Sequence, residues 1–139
     1  MIVADTTVWV DFLRGREAPH VVELTSLIAE DAGIALTDVI LAEVLQGLRT
    51  DQEARRLERQ LRAFDILRLR DLQDFTRAAA LYRAARSKGH TIRRTLDCLI
   101  ASVCIRERVP ILHNDADFDR LAVTTDLLVH EPGATVADG

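Results

Sequence analysis

"MIVADTTVWVDFLRG", residues 1–15, changes its hydrophobic period at a single acid. The first five residues form a short apolar run ending on Asp5 and read as a buried strand. "TTVWVDFLRG" opens on two hydroxyl residues that can cap a helix and closes on Gly15, so a helix follows directly.

The same alternation recurs along the chain. Residues 19–31 place Val22, Leu24, Leu27 and Ile28 at helical spacing until Gly33 interrupts them. "GIALTD" reads as a second strand, with Thr37 or Asp38 capping the helix "VILAEVLQGLR". "DQEARRLERQLRAF" is a polar amphipathic helix, and "DILRL" a third strand. From Asp71 to Lys88 the spacing predicts a helix with Leu72, Phe75, Ala79, Tyr82 and Ala85 or Arg86 on its apolar face, ended by Gly89. Residues 95–108 form an apolar helix, "VPILHND" a fourth strand, "DFDRLAVTT" a short helix and "LLVHE" a fifth strand. Strands alternating with helices predict a three-layer α/β/α sandwich with a parallel sheet of four to five strands. Residues 1–131 read as a single domain, and residues 132–139, from Pro132, as a flexible tail.

Composition narrows the function. The chain has 139 residues, 48% of them hydrophobic and 29% charged, and no apolar run approaches the roughly 20 residues of a membrane span. No basic segment followed by an apolar stretch opens it, so a cytoplasmic protein is expected. Cys98 and Cys104, six apart on one helix, lie about 120° away from sharing a face and cannot pair. Their spacing fits no zinc signature and the four histidines are scattered, which disfavours zinc and leaves the cysteines as core fillers. A net charge of −4 excludes holding nucleic acid by bulk electrostatics, so any such contact is local. The basic residues are arginines except Lys88, and the guanidinium fork suits phosphate or carboxylate.

In an open parallel sheet, ligands bind beyond the carboxyl ends of the strands where the winding reverses. Asp5 stands at the end of the first strand, and Asp115 and Asp117 just past the fourth. Glu43 is the one polar residue of "VILAEVL", and Asp97 the one carboxylate of the apolar helix in "RRTLDCLIASVC", residues 93–104. Each has an ordinary explanation alone: Asp5 as a helix cap, Asp97 as an acid near N2 behind a Thr95 cap, Asp115 and Asp117 as turn residues. Together they are harder to dismiss, because two carboxylates about 5 Å apart repel by roughly 3 kcal/mol at an effective dielectric near 20. With no lysine or arginine inside those apolar segments, the expected compensation is a bound divalent cation, and all-oxygen ligands select Mg²⁺ or Mn²⁺. An EF-hand reading of "DADFDRLAVTTD" fails at Arg120, where a glycine is required, and at Asp126, where a longer glutamate is usual.

Read in order, "VADTTVWVDFLRG", "ILAEVLQGL", "DCLIA" and "ILHNDADFD" make the chain resemble PIN-domain ribonucleases, more narrowly the VapC toxins of toxin–antitoxin modules. The resemblance runs from Ile2 to about Val129. It implies a catalytic quartet of Asp5, Glu43, Asp97 and Asp115, with these four and Asp117 as metal ligands and Thr7 as a neighbouring or substrate contact. It also implies Mg²⁺, with Mn²⁺ as substitute, an RNA substrate such as transfer RNA, a VapB-type antitoxin and a homodimer. His113 departs from the pattern, which commonly has a hydroxyl residue there. Arg14, Arg49, Arg93 and Arg94 flank the acids and could meet RNA phosphates. Other acidic Mg²⁺ folds fit less well: a haloacid-dehalogenase type needs D-x-D where this chain has "DTT", and a phosphoacceptor domain needs a lysine after its last strand. A PIN-like binding module would be expected to lack one of the acids, and none is missing.

Overall fold

The computed structural model describes residues 1–134. Eleven elements follow one another among them: β1 (Ile2–Ala4), α1 (Thr6–Leu13), α2 (Pro19–Ala29), β2 (Ile34–Thr37), α3 (Asp38–Gln46), α4 (Asp51–Leu61), β3 (Asp65–Leu67), α5 (Leu72–Ser87), α6 (Thr95–Glu107), β4 (Ile111–Leu112) and α7 (Ala116–Thr124). The strands form one parallel sheet in the order β3-β2-β1-β4. Ile2 pairs with Ile34, and Val3 with both Ala35 and Ile111, so β1 is central and buried on both faces.

Strand order explains the layers. The first two crossovers step one way along the sheet and the third steps back over it. With right-handed connections, the helices of the first two lie on one face and those of the third on the other. The contacts agree, α1 packing on α2 and α3, and α5 on α6 and α7. The three-layer sandwich is as the sequence predicts, and its winding reverses between β1 and β4. The fifth strand, "LLVHE", is reduced to a single parallel bridge between Ile111 and Val129. Beyond it, His130 Nε2 and the Gly133 N–H both bond Glu23 on α2, which draws the chain off the sheet edge. Of the expected tail, residues 135–139 lie outside the described residues.

Two local expectations are corrected. The buried face of α5 is Asp74, Ala78, Leu81 and Ala85, whereas Leu72 is 80% exposed and Phe75 47%. A polar anchor decides the rotation: Asp74, fully inside, accepts from the Arg70 N–H, Arg77 and Arg106, and this network outweighs the apolar count of the opposite stripe. On α6 the cap is Arg94, in extended conformation and without a side-chain cap bond, so Thr95 is the first helical residue and Asp97 the third. Cys98 and Cys104 are free and buried, and burial pushes their thiols up to about 11 and about 12. No helix among the described residues is long and apolar enough to cross a membrane.

Candidate active site

The five acids come from four places that the sheet brings together. Asp5 leaves β1 as the cap of α1, Glu43 lies on α3 after β2, Asp97 in the first turn of α6, and Asp115 caps α7 just past β4. Asp5, Asp97 and Asp117 are fully buried and Glu43 nearly so. One oxygen each of Asp97, Asp115 and Asp117 lie within 4.8 Å of one another. Parallel strands share an end, so acids placed at strand ends or early in the following helices converge at the reversal point.

Hydroxyls orient two of the carboxylates. Thr7 Oγ1 donates to Asp5 Oδ2 at 2.9 Å and accepts the Asn114 N–H at 3.1 Å, while Thr6 Oγ1 donates to Glu43 Oε1 at 2.8 Å. His113 Nδ1 accepts the Asp115 N–H at 3.0 Å, its Nε2 meets Asp119, and its ring packs on Phe118. The imidazole thus supplies the acceptor that a hydroxyl would offer at this position.

The compensating charge differs from the sequence expectation. Arginines immediately before α6 fold back into the acids. Arg94 donates from Nη1 to Glu43 Oε2 and from Nη2 to Asp97 Oδ1, both at 2.9 Å. Arg93 reaches Asp115 through Nη2 at 2.8 Å and Asp117 through Nε at 3.0 Å, and Arg120 closes on the other oxygen of Asp117 at 2.7 Å. Arg94 and Arg120 are residues whose part at this centre sequence reading missed. The available signal was "RR" at the mouth of an acid-bearing apolar helix, where a cation one turn from Asp97 is within reach of it. Arg14 is not brought to the acids; it ends α1, exposed. A groove of about 280 Å³ beside the acids is lined instead by Thr6, Thr7, Asp11, Arg16, Arg94 and Asn114.

Partial compensation leaves the centre electrostatically strained. Burial pushes Asp5 up to about 7, opposed by the Thr6 and Thr7 bonds and reinforced by Asp97. Burial likewise pushes Asp97 up to about 6, with Arg94 opposing and Asp115 and Glu43 reinforcing. For Asp117 burial acts upward too, but the Arg93 N–H, the Arg93 side chain and Arg120 together hold it below the ordinary carboxylate value. Asp5 Oδ1 and Asp97 Oδ2 are buried with no hydrogen-bond partner. Two orphaned anionic oxygens in an acid-rich pocket fit a divalent cation, for which hard oxygen donors are the right set.

A parallel sheet in this order, with acids gathered at its reversal point, defines the class, and the PIN domain family model matches residues 2–124. The chain belongs to the PIN-domain family. Within that family it belongs with the VapC proteins: Ribonuclease VapC11 of Mycobacterium tuberculosis and VapC ribonuclease Mb1587 of Mycobacterium bovis are each 41% identical to it over 128 residues. Those matches cover 91% of this chain and 96% of each relative. The solved structure of VapBC2 from Rickettsia felis, bound to a DNA fragment from their promoter, shares the fold with a TM-score of 0.72 at 21% identity. That match covers 94% of this chain and 98% of that one.

Proposed function

We propose that the chain is a divalent-cation-dependent endoribonuclease, the toxin of a toxin–antitoxin pair, hydrolysing RNA phosphodiester bonds at the acidic centre. The observation that carries this reading is the pair of buried, partnerless carboxylate oxygens at Asp5 and Asp97. Burying an unpaired anionic oxygen is costly, and such a pocket is useful to a protein that fills it with a cation. The names of the VapC relatives as ribonucleases support the substrate class.

Asp5, Glu43, Asp97 and Asp115 are the proposed catalytic residues. Asp5, Asp97 and Asp115 would hold Mg²⁺, or Mn²⁺ in its place. The bound ion supplies the charge that acidifies water and offsets negative charge growing on the phosphate. Glu43 has one hydrogen bond on each oxygen, from Thr6 and from Arg94, and each oxygen keeps a lone pair with which to orient a water for in-line attack. Thr7 holds Asp5 in place, and Asp117 anchors Arg93 beside Asp115. Asp117 becomes a ligand only by releasing a guanidinium. Arg93, more than half exposed, is placed to meet an RNA phosphate; Arg14 contributes only if the RNA extends along α1.

The reading includes a VapB-type antitoxin as partner, transfer RNA as a candidate substrate, a homodimer and action in the cytoplasm. It takes residues 1–131 as one working domain and residues 132–139 as a tail. Cleavage of RNA by the purified chain with Mg²⁺, with EDTA, and by the Asp5→Asn variant tests it. Cleavage that needs Mg²⁺ and falls at least about 100-fold in the variant is expected. Cleavage that survives EDTA, or an undiminished variant, would overturn it.

A further inference from the structure

We propose that Arg94 is a built-in cation of the acidic centre, its guanidinium holding Glu43 and Asp97 in the place a second divalent ion would take, so that the chain binds one such ion. The inference rests on the reading of the site as a divalent-cation centre and settles on the number of ions it accepts.

Three observations converge on it. The first is geometric: Arg94 joins carboxylates from two different helices, Glu43 on α3 and Asp97 on α6, with one nitrogen 2.9 Å from each. Both acids are buried, while the arginine, about half exposed, reaches down from the rim. A metal bridging the same two carboxylates would require the guanidinium to leave.

The second is the inventory of lone oxygens. Glu43 has a donor on each of its oxygens, Asp97 has one on Oδ1 alone and Asp5 on Oδ2 alone. What remains buried without a partner, Asp5 Oδ1 together with the Asp97 oxygen that Arg94 leaves free, is one oxygen from each of two acids. It is a donor set for one ion.

The third is charge. Asp5, Glu43, Asp97, Asp115 and Asp117 face the guanidiniums of Arg93, Arg94 and Arg120, leaving two negative charges, which one divalent ion neutralises. Two ions would leave the centre with two positive charges while all three arginines stay, and withdrawal of Arg94 halves that excess.

Arg94 is held where it is by its backbone. It occupies the cap position of α6 in extended conformation and offers that helix no side-chain cap, unlike Asp5, Thr37, Thr50, Asp71 and Asp115 at their helices. A Ser, Thr, Asp or Asn there would cap the helix and leave Glu43 and Asp97 without a cation.

Calorimetric titration of the whole chain with Mn²⁺ tests the proposal, using the wild type, Arg94→Gln, Arg94→Lys and Asp5→Asn, each checked for folding by circular dichroism. The expected stoichiometry is one ion for the wild type and for Arg94→Lys, which keeps the charge, and two for Arg94→Gln. Two ions on the wild type would overturn the proposal whether or not Arg94→Gln folds, as would a folded Arg94→Gln that still takes one ion with unchanged affinity. Failure of the underlying site reading looks different: the wild type then binds no Mn²⁺, or Asp5→Asn keeps the full stoichiometry, and the proposal falls with it.

Discussion

Thr7 and Asn114, 107 residues apart in the chain, are joined across the reversal point of the sheet: the Asn114 N–H donates to Thr7 Oγ1 at 3.1 Å. The same hydroxyl donates to Asp5 Oδ2 at 2.9 Å. One side chain therefore fixes the β4–α7 loop against the start of α1 and sets the angle of Asp5 at once.

Thr7→Val keeps the shape and removes the hydroxyl. A stability loss of about 1 kcal/mol is expected, the worth of an ordinary hydrogen bond. RNA cleavage should fall further, by about 10–100-fold, because groups that orient a metal ligand carry that much of metal affinity or activity. Comparing the denaturation midpoint with the cleavage rate checks it; a rate loss no greater than the stability loss implies would make Thr7 a purely structural residue.

Asp5→Asn separates a metal ligand from a helix cap. Asparagine caps as well as aspartate, so α1 keeps its start, while a buried charge with a partnerless oxygen disappears. In EDTA the variant should melt at or above the wild-type temperature. Added Mg²⁺ should raise the wild-type melting temperature and leave the variant's unchanged, since only a ligand bound to the native state stabilises it. Thermal denaturation in both conditions measures this, and a variant that melts lower in EDTA, or that gains from Mg²⁺ as the wild type does, would show that Asp5 is not a strained metal ligand.

His113 tests what the position after β4 requires. Its Nδ1 accepts the Asp115 N–H, so His113→Ala leaves that donor without its partner, at a cost of about 1–3 kcal/mol, and loosens Asp115. His113→Ser restores an acceptor and should recover most of the cleavage lost in the alanine variant. Parallel rate measurements on the two variants decide it; equal losses would show that the ring packing on Phe118, not the acceptor, matters.

Asp74 predicts the acid limb of stability. Burial acts to raise its pKa, but bonds from the Arg70 N–H, Arg106 and Arg77 hold it below the ordinary carboxylate value. A depressed carboxylate contributes its stability above the unfolded-state value and loses it as pH falls through the folded-state value, so this contribution disappears only below about pH 4. Asp74→Asn should cost on the order of 3 kcal/mol at pH 7, as breaking one side of a buried ion pair does. The gap to the wild type should close in urea titrations carried below pH 4. A gap constant with pH would show that the loss is one of packing rather than of charge.

Most of the fold was legible because its signals are local. Apolar runs, caps such as Asp5 and Thr37, and the glycines after the helices depend on neighbours within a few residues, and they mark ten of the elements nearly to their ends. The exceptions are places where a long-range contact overrules the local pattern. The α5 stripe of Leu72 and Phe75 has the right period but faces outward, since Asp74 is held by Arg106 from α6, 32 residues away. "LLVHE" has strand composition, but Glu23 on α2 takes hold of the chain just beyond it.

The candidate site divides in the same way. The sequence by itself determined the element on which each acid stands and where along it, because strand ends, caps and first turns are written in short-range order; with a parallel sheet, that already implies that Asp5, Asp97 and Asp115 gather at one edge. Which charges face one another across different elements was decided by the tertiary structure alone. Arg94 and Glu43 are 51 residues apart and Arg93 and Asp115 are 22 apart, and each pair meets because the helices pack at particular rotations over the sheet. Ion pairing falls off steeply with distance in a buried site, so a shift of one residue in either helix would separate the partners. Of the pairs that partly neutralise the acids, only the one-turn neighbours Arg94–Asp97 and Arg120–Asp117 were within reach of a local pattern.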